Sequence, residues 1–236
     1  MREDCSARPW RPFWSTCPDL ISYHVLQTGS PGIVAHVPWI GRVYSGDGDT
    51  RFARALVDSD NAAATLATVF PADHPTLAGM PFALMEYYAS CHQNGSLTFI
   101  FMPISRNNQN ILQSNTHLAT FTVASHPARA ATNRVALMGD VTIMTNAYIE
   151  SSSAYRNNTQ EVQEIETCFL RRHPDAKWWL PGRKPVHKAY WARFDPLTIY
   201  YVGGFGSEHY IGYIPLELYQ RAGEGPITDG ELRIQH

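Results

Sequence analysis

The hydrophobic positions of this chain change their spacing along its length, and the changes mark its organisation. Residues 1–50 show no sustained period. They are rich in Pro, Gly, Trp and Ser, and they end in the turn-rich run Ser45-Gly46-Asp47-Gly48-Asp49. They read as an irregular extension, with one strand expected near 32–37. Over 51–59, Phe52, Ala55 and Leu56 fall on one side of a helical wheel and predict a short helix. Beyond it the alternation becomes two-residue, as in half-buried strands. Strands are predicted over 62–70, 81–89, 97–102, 117–124, 134–144 and 187–194, with two more flanking Val202-Gly203-Gly204-Phe205-Gly206. Helical spacing returns at 105–114, where Ser105 stands in N-cap position. It recurs at 159–172 through Val162, Ile165 and Phe169, and at 215–221. Many antiparallel strands with few helices predict a mainly β fold, a barrel with helical insertions over 51–222 and a loose tail over 223–236.

Two patterns within the strands suggest where function lies. Along 134–144 one face is dry (Val135, Leu137, Val141, Ile143). The other mixes Arg134, Asp140 and Thr142 with Ala136, Met138 and Met144, which suits it to meet a second subunit or a ligand. The glycines around Phe205 mark a sharp turn or a close approach of another group. Trp178, Trp179, Tyr190 and Trp191 either line an apolar pocket or pack in the core.

Composition narrows the function classes. The 236 residues fit one domain with an extension, and 44% apolar content supplies a sizeable core. Charged residues are 17%, and the net charge of -2 argues against nucleic acid or an anionic membrane held by bulk electrostatics. No run approaches the roughly 20 apolar residues of a membrane span, and the N-terminal residues lack the apolar core of a signal peptide. Cys5, Cys17, Cys91 and Cys168 contain no C-x-x-C pair, so no zinc site is expected, and three disulfide pairings stay open. Two N-glycosylation sequons are present, Asn94-Gly95-Ser96 and Asn157-Asn158-Thr159. The ten histidines show no metal-ligand spacing, and no nucleophile-elbow motif occurs.

A set of phrases in fixed order carries a family resemblance. They are Ala64-Thr65-Leu66-Ala67-Thr68-Val69-Phe70, Gly79-Met80-Pro81-Phe82-Ala83-Leu84-Met85, Ser105-Arg106 with Asn110, Leu112 and Asn115, and Leu137-Met138-Gly139-Asp140-Val141. Phe169-Leu170-Arg171-Arg172-His173-Pro174 with Trp178-Trp179, and the Gly-rich hairpin, complete the set. From about Arg51 to Ala222 the chain resembles the CREG-like branch of the pyridoxamine 5′-phosphate oxidase-like, FMN-binding split-barrel superfamily. The resemblance implies a six-stranded split β-barrel, a homodimer with composite sites at the subunit interface, and FMN as cofactor, with haem ranked behind it.

The resemblance makes Ser105 and Arg106 the candidate phosphate holders, Gly204 a hairpin contact and His209 a candidate haem ligand; it assigns no catalytic residue. The chain departs from the family pattern in two places. Asn107 stands where a lysine is usual, and Leu84-Met85-Glu86-Tyr87-Tyr88 carries no cation. A dianionic phosphate beside Glu86 without compensating charge would be costly. Ser105 and Arg106 therefore keep a second reading, an ordinary N-cap and a solvated helix residue. Three functions follow: an FMN-dependent oxidoreductase acting on a small molecule, a cofactor-free secreted or vacuolar CREG-like glycoprotein, or a cofactor-free tailoring enzyme using an apolar dimer cleft. In an oxidising compartment Cys91 with Cys168 is the preferred disulfide, because both lie near element ends.

Overall fold

A computed structural model describes residues 47–59, 63–144, 155–182, 188–204 and 209–224. Residues 1–46 of the expected extension, with Cys5 and Cys17, lie outside the described residues, as do Phe205, Gly206 and most of the tail. Contacts divide the chain into units 1–39 and 40–236, and everything described belongs to the second.

The described residues form seven strands and four α-helices. The strands are β1 (Ala63–Val69), β2 (Pro81–Tyr87), β3 (Leu97–Phe101), β4 (Leu118–Ala124), β5 (Arg134–Met144), β6 (Tyr190–Val202) and β7 (Ile211–Ile214). The helices are α1 (Asp47–Asp58), α2 (Arg106–Gln113), α3 (Tyr155–Arg172) and α4 (Leu216–Arg221). The antiparallel strands run in the order β2-β1-β4-β5-β6-β3. A single bridge joins the two ends of this path, Ala89 and Thr98 exchanging both backbone hydrogen bonds at 2.8 Å. This is the expected split barrel, with β7 as a seventh strand. The split is visible at β6: residues 190–194 pair with β3 and residues 199–202 with β7, while the other edge runs along the whole of β5.

Alternation puts Leu66, Phe121, Leu137 and Phe194 inside, each fully buried. Phe121 meets Phe99 and Phe194 edge to face, at centroid distances of 5.5 and 5.1 Å. Each such side chain contributes roughly 1.5–3 kcal/mol by leaving water. Helix α1 seals this core with Ala53, Leu56 and Val57, whereas Phe52 and Ala55, expected to share the buried face, are only half-buried. The helix also begins at Asp47, four residues before its predicted start. Helix α3 packs Ile165 and Phe169 on Trp191 and Ala176 in a second cluster, as its periodicity predicts. Cys91 and Cys168 form a disulfide at a Cα separation of 5.9 Å, which ties α3 to the connection between β2 and β3.

One strand assignment is corrected. The stretch predicted as a strand over 187–194 followed by a separate one is the single 13-residue strand β6. Its register shifts by one residue opposite Met138 and Gly139: Met138 pairs with Thr198 and Gly139 with Pro196, leaving Leu197 as the extra residue of a bulge. Gly139 is required there, because a Cβ on it would lie 2.0 Å from the Asp195 carbonyl oxygen.

Candidate functional site

The bulge forms one wall of a concave feature on the barrel's outer surface. Leu197 turns outward and, with Val69 from β1, Leu118 from β4 and Met138 from β5, lines a groove of about 520 Å³. The hydroxyl residues Thr120, Thr198 and Thr116 add polar lining, and none of the lining residues is charged. One rim is the link from α2 to β4, where His117 takes a positive φ of 50° and its carbonyl accepts the Val141 N–H at 3.1 Å. Of the mixed face expected along β5, Met138 lines the groove, joined by the backbone of Gly139 from the other face.

The four residues proposed as cofactor contacts fall into two places. Ser105 is the N-cap residue of α2, yet its side chain makes no capping bond. The Arg106 guanidinium lies over the Phe70 ring, 5.6 Å from its centroid. Asn107, at the family's lysine position, is buried and turned toward β1: it accepts from Thr68 Oγ1 at 2.9 Å and donates to the Leu66 carbonyl at 3.1 Å. Asn110 donates to the same threonine at 3.0 Å. Two buried amide oxygens beside this network, Asn108 Oδ1 and Asn110 Oδ1, have no protein partner. The asparagines thus dock the helix on the barrel. Successive residues of an extended chain face opposite ways, so Val69 in the groove and Phe70 beneath Arg106 look to opposite sides of β1.

Gly204 and His209 meet each other instead. A Cβ on Gly204 would lie 2.7 Å from the His209 ring, and no positive φ is involved, so an imidazole rather than backbone fills the space beside this glycine. The Gly203 N–H donates to the Tyr210 carbonyl at 2.8 Å, one position beyond the β6–β7 pair Val202 and Ile211. Ala67, Thr120, Met138 and Thr198 are level across the sheet. Gly204 lies six residues beyond Thr198, about 20 Å at roughly 3.3 Å per residue. Ser105 with Arg106 and Gly204 with His209 do not converge on one ligand within a single chain.

The described residues at α2 do not fit an FMN phosphate. They supply one cation, already seated on an aromatic ring, and β2 supplies none. Glu86 on that strand has its carboxyl pushed up to about 7 by burial, partly offset by the Tyr87 N–H it accepts at 3.1 Å. The tryptophan cluster divides as well: Trp191 is core, while Trp178 is 74% exposed under the Lys177 ammonium. Among the described residues no group of His, Cys, Asp and Glu could hold a metal ion, and no helix is long and apolar enough to cross a membrane. Sequence reasoning missed the groove because Leu197 and Gly139 lie 58 positions apart (197 − 139) and belong to no motif.

Comparison with known proteins agrees with this fold. The family profile described as CREG, beta-barrel matches residues 47–221. No curated protein sequence matches the chain. Among solved structures, the heme binding protein from Mycobacterium smegmatis is similar with a TM-score of 0.54 and 16% identity. That alignment covers 76% of this chain and 62% of the other. The protein Atu2129 from Agrobacterium tumefaciens, of unknown function, has a TM-score of 0.50 and 18% identity, over 67% of this chain and 57% of its own. A pyridoxamine 5′-phosphate oxidase-related, FMN binding protein from Nostoc punctiforme has a TM-score of 0.42 and 15% identity, over 71% and 91%. With the bulged split barrel in place and the family profile spanning it from α1 to α4, the chain belongs to the CREG β-barrel family.

Proposed function

We propose that this chain works as a homodimer whose apposed outer faces enclose the groove, and that the chamber takes an uncharged, largely apolar small molecule without FMN. The lining carries this reading. Val69, Leu118 and Leu197 are 56%, 51% and 55% exposed, and no charged side chain stands among them. Aliphatic surface gathered in a concavity is what a second subunit or an apolar ligand removes from water, at roughly 25 cal/mol per Å². The Thr120 and Thr198 hydroxyls can hydrogen-bond a carbonyl or hydroxyl on such a molecule. The protein's contribution there is positioning.

The FMN reading keeps one observation in its favour, the Ser105 hydroxyl that caps nothing at a helix N-terminus carrying Arg106. The haem reading keeps His209 on the hairpin, and a heme-binding protein among the fold neighbours makes it worth excluding. Purified protein should be dimeric by light scattering and colourless. Its FMN affinity should be weaker than about 100 μM and the same in Arg106→Ala, while Leu197→Asp abolishes binding of an uncharged apolar fluorophore. Tight FMN binding that Arg106→Ala removes overturns the proposal, as does a monomer at micromolar concentration or a haem absorption band lost in His209→Ala.

A further inference from the structure

A row of charged residues lies beside the groove. Thr120, Met138 and Thr198 cross the groove level with one another, and the next row along the strands is Leu118, Asp140 and Asp195, each opposite the next in register. Leu197, the extra residue of the bulge, lies between the two rows on β6. Alternation puts Asp140 on the same face as Met138, and it is half-buried there. Directly opposed residues on neighbouring strands have Cβ atoms about 4.5–5.5 Å apart. Asp140 therefore stands against the Leu118 wall, just beyond the lining itself.

The charges in this row do not balance. Asp195 accepts from Ser96 Oγ at 2.6 Å and pairs with Arg193 at 2.9 Å. His92 meets Thr98 at 3.0 Å, and burial, reinforced by Arg193, holds its imidazole toward the neutral form. Asp140 has no hydrogen-bond or ion-pair partner among the described residues. One cation between two carboxylates leaves one negative charge over, at the end of an otherwise apolar groove. Covering that carboxylate without giving it a donor is costly. Whatever fills the groove must bring a donor to it.

We infer that Asp140 is the polar anchor of the groove, accepting a hydrogen bond from a hydroxyl or N–H group on an otherwise apolar, uncharged ligand. The inference rests on the groove being the ligand site, and it narrows the ligand to donor-bearing molecules such as phenols, alcohols and amides. A hydrogen bond to an ionised acceptor is roughly twice as strong as a neutral one, so Asp140 outweighs the Thr120 and Thr198 hydroxyls, which donate or accept alike. An ether in place of the hydroxyl leaves the carboxylate covered and unpaired, and so loses more than the bond itself. A carboxylate or phosphate on the ligand meets like charge at the same place.

Three fluorescent probes of one shape, naphthol, methoxynaphthalene and naphthoate, test the anchor by titration into the purified protein. The parent should bind naphthol at least about tenfold more tightly than methoxynaphthalene, and naphthoate more weakly than either. Asp140→Ala should remove the preference for naphthol and leave the affinity for methoxynaphthalene unchanged. Asp140→Asn keeps the shape without the charge, and should bind naphthoate about tenfold more tightly than the parent does. Equal binding of naphthol and methoxynaphthalene by the parent, both lost in Leu197→Asp, overturns the anchor and leaves the groove standing. Binding of none of the three overturns the groove and the anchor together. A preference for naphthol that survives both changes at Asp140 overturns the anchor too, and a change to monomer in light scattering alongside it would assign the carboxylate to the subunit contact.

Discussion

Gly139 and Glu86 show how much one residue can decide in this barrel. A Cβ at Gly139 would strike the Asp195 carbonyl, a backbone atom paired across the sheet that has no rotamer with which to give way. Gly139→Ala should therefore cost about 2–3 kcal/mol, read as a lower urea midpoint with an unchanged slope; an unaltered midpoint would mean that the bulge yields freely. Glu86 makes a prediction in pH. Its carboxyl is raised to about 7 in the folded protein, so the native state holds that proton more tightly than the unfolded chain. The stability this provides is fully present below the ordinary carboxyl value of 4.5 and lost as pH rises through about 7. Glu86→Gln should flatten that slope and leave the variant on the order of 2 kcal/mol more stable than the parent at about pH 8, after discounting for residual solvent. Parallel pH curves for the two proteins would refute the assignment.

Elements were legible where one period ran without interruption. Strand β5 starts and stops where its pattern does, and its burial alternates from Arg134 to Thr142 before Met144, expected on the mixed face, is buried in the second cluster and Ile143 is left half-buried. Helix α3 was found by Val162, Ile165 and Phe169, and the disulfide by two cysteines near element ends. Strand β6 was misread for a physical reason. Ala192, Phe194 and Pro196 are buried at even positions, then Ile199 and Tyr201 at odd ones. A change of phase looks like a strand boundary when only the sequence is in view, and in three dimensions it is a bulge. The buried face of α1 was misjudged because Arg54 belongs to it. Its guanidinium pairs with Asp58 at 2.8 Å, lies over the Tyr219 ring and donates to the Gln93 carbonyl at 2.9 Å, partners drawn from distant parts of the chain. Helix α3 leans on the same region, because Arg172 donates to the Asp58 carbonyl at 2.8 Å and to the Ser59 carbonyl. Opening the disulfide in Cys91→Ser/Cys168→Ser, with a sequence separation of 77, should cost about 4 kcal/mol by the chain-entropy account. Denaturant titrations of the two proteins measure it, and equal midpoints would show that packing alone holds α3.

For the molecule as a whole, the family was readable from the order of short phrases and the site was not. The phrases record elements of the barrel, and the barrel is what family members share. The site depends on Asn107 having turned inward and on Leu197 having turned outward, and neither direction is written in a motif. If two outer faces meet across the groove, a carboxylate at its centre should keep them apart. Leu118→Asp should give a folded monomer in light scattering, with a melting temperature that no longer rises with protein concentration. A dimer that survives this change must be built elsewhere.

The bulge in β6 has a consequence for chain length. Deleting a residue from the middle of a strand normally turns every later side chain to the wrong face. Here the phase of burial already changes at Leu197, so removing that one residue would bring Ala192, Phe194, Pro196, Ile199 and Tyr201 into a single unbroken alternation. Met138 and Gly139 would keep their partners Thr198 and Pro196, now in regular register. A protein one residue shorter should fold and melt much as the parent does, yet bind no apolar fluorophore, its outer face having lost the aliphatic wall and the local bend together. Failure of that deletion to fold would show that the bend is part of the barrel's closure. Success would mark the groove as a one-residue insertion laid on a barrel that does not need it.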